Sequence, residues 1–125
     1  MGIDIYAEWD KQSKGERESQ LSAWLATVSG DVGYLQESYH GEPYATEYLF
    51  AEAFASETGK AQIPAETLQS RLPMALKLVE ERARKLYEAT DEEVEQEKQS
   101  FRDFVELCAR KEEETGEAMR IFAWY

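Results

Sequence analysis

The sequence predicts an α+β fold, a small sheet including the two terminal strands packed against a long antiparallel helical hairpin. Three observations carry this expectation. Apolar and polar residues alternate near both ends of the chain. Two long central segments repeat their apolar residues at helical spacing. A capping signal with a short connection divides those two segments, so they fold back on each other. Terminal strands pair most cheaply with each other, and the two helices then cover one face of their sheet.

Ile3, Ile5, Ala7 and Trp9 alternate with Asp4, Tyr6 and Glu8, the period of a half-buried strand. Asp10–Gly15 is polar and reads as a loop. Leu21, Trp24, Leu25 and Val28 fall at i, i+3, i+4 and i+7, which predicts an amphipathic helix over about Glu16–Ala26. Gly30 and Gly33 then break the pattern. Gly33–Phe54 is the least regular and most aromatic stretch, and Tyr39–Tyr44 reads as a turn from its Gly and Pro. Periodicity leaves Thr46–Phe50 open between a strand and a helical turn. Ala51–Phe54 reads as a short helix and Glu57–Lys60 as a loop.

Pro64 suits the first position of a helix reaching about Leu72, and Pro73 marks a break or kink. From Met74 to Ala89, the residues Ala75, Leu76, Val79, Ala83, Leu86 and Tyr87 keep helical spacing. Thr90 with Glu93 forms a capping box that starts a new helix at Asp91. Its stripe is Val94, Phe101, Phe104, Val105 and Cys108, with Leu107 alongside, and Gly116 suits its end. In the last strand Met119, Ile121 and Ala123 alternate with Arg120, Phe122 and Trp124.

The 125 residues fit one domain, 1–125, with enough length for a core. A net charge of −12 argues against binding polyanions or anionic membranes through a basic face. No transmembrane helix and no signal peptide are expected, and the chain reads as cytoplasmic. One Cys and one His exclude an internal disulfide and a Cys/His zinc site. No metal site or cofactor is expected. Residues 80–117 hold 14 acids against seven bases, so over half of the net charge sits on the hairpin. Glu81–Lys85 and Glu106–Arg110 stand four apart, as helix ion pairs do. The plain account is a solvated helix face, and the sharper one is a dock for a basic partner.

The best candidate site is Tyr34–Tyr48. Tyr34, Tyr39, His40, Tyr44, Thr46 and Tyr48 offer stacking faces and hydroxyls, and Gly41 allows close backbone approach. The alternative is that these tyrosines cover a loop and fill the core. His40 is a conceivable general base without a motif partner. Cys108 falls on an apolar stripe and reads as a buried thiol. Arg71, Arg82, Arg84, Arg102 and Arg120 are candidates for an anion. Arg120 shares a strand face with Phe122 and Trp124, where a nucleotide-like ligand could rest, unless it pairs with a Glu. No Walker loop, Gly-x-Gly-x-x-Gly or His-Glu-x-x-His occurs.

Three stretches carry a resemblance. They are Met-Gly-Ile-Asp-Ile-Tyr-Ala-x-Trp at the start, Val32 through Thr46 with its Tyr-His-Gly-x-Pro-Tyr-Ala-Thr core, and Phe101-x-x-Phe104-Val105-x-Leu107 with Lys111-Glu112 and Thr115-Gly116. Together they resemble a family of small uncharacterised proteins of bacteria and their phages. That family commonly has a basic residue after the Thr, where Glu47 stands here. The resemblance implies an origin, and with it a role in antagonising host defence, rather than a mechanism.

The leading expectation is a non-enzymatic protein that binds a small, nucleotide-like ligand, sequesters a host immune signal, and works as a homo-oligomer. One rival is an acidic inhibitor that mimics nucleic acid toward a basic protein partner. Another is a small hydrolase using His40.

Overall fold

A computed structural model describes residues 2–23, 29–39 and 41–125. It has a four-stranded antiparallel sheet with β1 (Gly2–Glu8), β2 (Tyr34–Ser38), β3 (Lys60–Ile63) and β4 (Met119–Trp124) in the order β2-β1-β4-β3. Helices α4 (Ala65–Leu86) and α5 (Asp91–Thr115) pack on each other as the hairpin. Shorter helices α1 (Lys14–Ser22), α2 (Ala45–Leu49) and α3 (Ala51–Ala55) fill the connections. The terminal strands pair at the centre of the sheet, Asp4 opposite Trp124 and Glu8 opposite Arg120.

Alternation sends Ile3, Ile5 and Ala7 inward from β1 and Met119, Ile121 and Ala123 inward from β4. Ile5 lies between Leu35 and Ala123 in one cross-strand row. The α5 stripe of Val94, Phe101, Phe104, Val105, Leu107 and Cys108 is buried against this face as the spacing predicts. Phe104 meets Phe50 of the α2–α3 corner edge-on, with ring centroids 5.1 Å apart. The capping box of Thr90 and Glu93 forms in both directions, and Gly116 ends α5 at φ 77°.

Three local expectations change, and one open reading closes. The helix after Pro64 continues through Pro73, whose ring lies at an exposed position of α4. Burial of Leu68 on one side and of Ala75, Val79 and Ala83 on the other holds the helix together despite the missing N–H. Pro64 itself is the residue before the helix rather than its first. Thr46–Phe50 resolves as a helical turn, most of it in α2. In α1 the inward residue is Gln20, fully buried, while Leu21 is 52% exposed. Gln20 Nε2 donates to the carbonyls of Ala7 and Gly33 at 2.7 and 2.8 Å, joining two strand ends. The predicted contributions of Trp24, Leu25 and Val28 lie outside the described residues.

Strands β2 and β3 were not expected. Both are short edge strands, and Glu37 breaks the apolar alternation of β2 by facing inward.

Cys108 is 1% exposed on α5, and burial pushes its thiol well above the ordinary range. A thiol-specific aromatic disulfide is therefore expected to label the native protein only as fast as it unfolds. Rapid stoichiometric labelling without denaturant would contradict this packing.

Candidate functional site

The aromatic turn divides into parts with different tasks. Tyr39 is exposed and meets Tyr44 edge-on at 6.1 Å. Tyr44 lies half-buried under the guanidinium of Arg82, 4.9 Å from the ring centre. Thr46 is fully buried. Its hydroxyl and amide donate to Glu37 Oε1 at 2.6 and 3.0 Å, and the Ala45 amide donates to Oε2 at 2.9 Å. The Gly41 carbonyl accepts from Arg82 Nε at 3.0 Å. His40 lies outside the described residues.

Glu37 and Arg82 tie these groups together. Their side chains are 6% and 7% exposed and meet at 2.9 Å. Arg82 also donates to the Ser38 carbonyl at 2.9 Å. Every polar atom of this buried pair facing the turn therefore has a partner, as burial of charge requires. Arg82 is one of the five arginines expected to meet an anion, and the anion proves to be the protein's own Glu37. The clamp fixes the turn, and Thr46, Gly41 and Tyr44 are occupied in it.

Tyr34 and Arg120 are elsewhere, on the sheet face away from the α4–α5 hairpin. The Tyr34 hydroxyl donates to Asp4, and burial first, then that hydrogen bond, holds its proton above the ordinary range. Arg120 bonds Asp10 at 3.2 Å and lies 3.8 Å from Glu8. Its pairing with acids is realised, through strand and loop carboxylates rather than a helix Glu. The remaining anion candidates are likewise paired within the chain. Arg71 holds Glu52 in a fork at 2.6 and 2.8 Å, Arg84 meets Asp91 at 2.8 Å, and Arg102 meets Glu95 at 2.6 Å. The hydrogen bond from Arg71 holds the Glu52 carboxyl below the usual range.

Among the described residues, two of the ligand-sized clefts that flank α5 bear on the candidate groups. One, of about 380 Å³, lies between Ser38, Tyr87, Glu93 and Glu97 beside the clamp. Its charged lining is acidic. The other, of about 390 Å³, lies between α1 and the far part of α5. Trp9, Val32 and Leu107 give it apolar walls, and Ser19, Asp31, Arg110 and Lys111 supply polar groups. Lys111 sits 5.4 Å over the Trp9 ring and is held by Glu114 at 3.1 Å and Glu16 at 3.5 Å. Glu16 is tied in turn by the α1 capping box, the Ser13 amide donating to it at 2.9 Å.

Arg110 stands apart. The expected Glu106–Arg110 and Glu81–Lys85 ion pairs do not close. Six of the seven arginines have a carboxylate within 4.0 Å, and among the described residues Arg110 has none. Acids outnumber bases 26 to 14, so an unmatched arginine runs against the composition. None of the described residues picked out in the aromatic turn lines this cleft. Arg110 and Trp9 were legible only as a helix pair and a strand residue, because the cleft joins segments a hundred residues apart.

Among the described residues no group of three or more His, Cys, Asp or Glu side chains is placed to hold a metal ion. None of their helices is long and apolar enough to cross a membrane. Comparison of the chain with protein-family models, curated proteins and solved structures gives no match.

Proposed function

We propose that the protein is a non-enzymatic binder of a small nucleotide-type anion, held in the cleft between α1 and α5. The observation that carries this reading is Arg110, an exposed arginine that has no carboxylate partner among the described residues and lines a ligand-sized cleft. Its guanidinium suits a phosphate, with Lys111 adding charge nearby. Asp31, exposed on the same cleft, accepts from ribose hydroxyls or base N–H groups. Trp9, Val32 and Leu107 take the apolar part of the ligand. In the phage setting that the sequence resemblance implies, such binding sequesters a host immune signal.

Isothermal titration with adenosine, AMP, ADP-ribose and a cyclic dinucleotide tests the reading. The phosphorylated ligands are expected to bind at least about tenfold more tightly than adenosine, since a charge-assisted hydrogen bond contributes about 1.5–3 kcal/mol. Arg110→Ala is expected to remove that margin and leave the fold intact, because the side chain is exposed. A folded protein that binds none of these at high micromolar concentration would sink the proposal. So would an Arg110→Ala variant that binds AMP as well as the parent.

A second reading rests on the outer side of the hairpin. Glu81, Glu88, Glu92, Glu106 and Glu113 are exposed and form no ion pair among the described residues. They suit a basic protein partner that ordinarily grips nucleic acid, and the mark of such a complex is steep weakening with added salt.

A further inference from the structure

We propose that two copies of this chain associate through the face of the sheet turned away from the α4–α5 hairpin. The proposal is independent of the ligand reading. One row crosses all four strands on that face: Tyr34, Tyr6, Phe122 and Lys60, each opposite the next. Tyr6 lies 5.2 Å from Tyr34 and 6.4 Å from Phe122 between ring centroids, and Phe122 meets Trp124 edge-on at 6.0 Å. Trp124 is 64% exposed, while Tyr125 after it stacks on Phe54 of α3 and stands apart from the row. At the β2 end Tyr34 is buried and Arg17 of α1 lies 5.9 Å from the Tyr6 ring centre, so the open part of the face is its β4 side, at Phe122 and Trp124. A run of aromatic rings with exposed members on one face marks an association surface.

Charge selects the occupant. The chain carries −12, so two copies repel one another over most of their surface. The outer sheet face is the exception. Its acids Asp4, Glu8 and Asp10 are balanced by Arg17, Lys60 and Arg120. Glu8 alone lies within 4.0 Å of all three cations. A second copy, equally acidic, meets a locally neutral aromatic surface here. A basic protein would be drawn instead to the hairpin, and a polyanion would be repelled.

The extent of the face sets the strength. Four strands about 4.8 Å apart, each rising about 3.4 Å per residue, give a platform of about 20 by 20 Å. That is below the footprint of tight obligate dimers, so a concentration-dependent dimer in the micromolar range is expected.

Sedimentation velocity across the micromolar range reads the result directly. The wild-type protein is expected to shift from monomer to dimer mass as concentration rises. Trp124→Glu, at an exposed position, is expected to stay monomeric throughout. Lys85→Glu makes a comparable acidic change on the exposed hairpin and is expected to dimerise as the parent does. Far-UV circular dichroism checks that each variant is folded, and Trp124→Ala replaces Trp124→Glu if the charge disturbs β4. A wild-type protein that stays monomeric at every concentration overturns the proposal. So does a folded Trp124 variant that dimerises like the parent.

Discussion

Replacing Gly30 with alanine is expected to cost about 3 kcal/mol or more and to leave little folded protein near body temperature. Gly30 begins a short 3-10 turn, Gly30–Val32, laid directly on the backbone of α5. A Cβ there would stand 1.7 Å from the Ser100 carbonyl oxygen and 2.8 Å from the Phe104 amide nitrogen. Both contacts are backbone atoms in the middle of a long helix, so no side chain can swing aside. Overpacking of this kind ordinarily costs about 1–3 kcal/mol, and rigid neighbours put this case at the top. The turn cannot simply lift away either. The Ser100 hydroxyl accepts from the amides of Ser29 and Gly30 at 3.1 and 2.9 Å, so separation strands two buried donors. Urea unfolding measures the loss. A variant within about 1 kcal/mol of the parent would mean that the turn and helix are less closely apposed.

Arg82→Ala is expected to destabilise by about 3–5 kcal/mol, the usual cost of leaving a buried charge without its partner. Total stability of a domain this size is about 5–15 kcal/mol, so the variant sits at the edge of folding. Its signature separates it from an isolated ion pair. Replacing both members of such a pair with apolar residues often restores stability. Here the double variant Arg82→Met with Glu37→Leu is expected to stay destabilised. Glu37 also accepts the amides of Ala45 and Thr46, and Arg82 also serves the carbonyls of Ser38 and Gly41. Those four backbone groups lose their partners whatever fills the volume. Urea midpoints of the single and double variants decide the point, and recovery in the double variant would reduce the clamp to a simple pair.

The central part of the fold was legible because its residues obey a single period. The strands at Ile3–Trp9 and Met119–Trp124 and the α5 stripe each bury what their spacing says. The capping box at Thr90 has a purely local cause and forms as read. Legibility failed where a polar residue took an inward place. Glu37 hides β2 because its reason for facing the core, Arg82, lies 45 residues away. Gln20 displaces Leu21 from the interior because two strand-end carbonyls need a donor. Gly30 read as a break in a helical pattern, and its actual constraint is the closeness of α5.

The site followed the same division. Gly41, Tyr44, Ala45 and Thr46 do belong to one arrangement, held by Glu37 and Arg82 rather than left open to a ligand. Sequence spacing puts Glu106 within reach of Arg110, but it does not show that the pair fails to close. That failure depends on the side-chain positions of the folded helix surface, and among the described residues it leaves Arg110 without a carboxylate on the α1–α5 cleft.

The pairing of β1 with β4 bears on how the molecule assembles. Asp4 faces Trp124, so the middle of the sheet joins the most distant segments of the sequence. Closing so long a loop carries an entropic cost before any contact repays it. The α4–α5 hairpin, with its short connection and local capping, is free of that cost and can form early. The sheet is then a late structure, completed on a helical layer already in place. Changes confined to β1 or β4 would act chiefly on how fast the native state is lost, whereas changes in the hairpin would act on how fast it is reached.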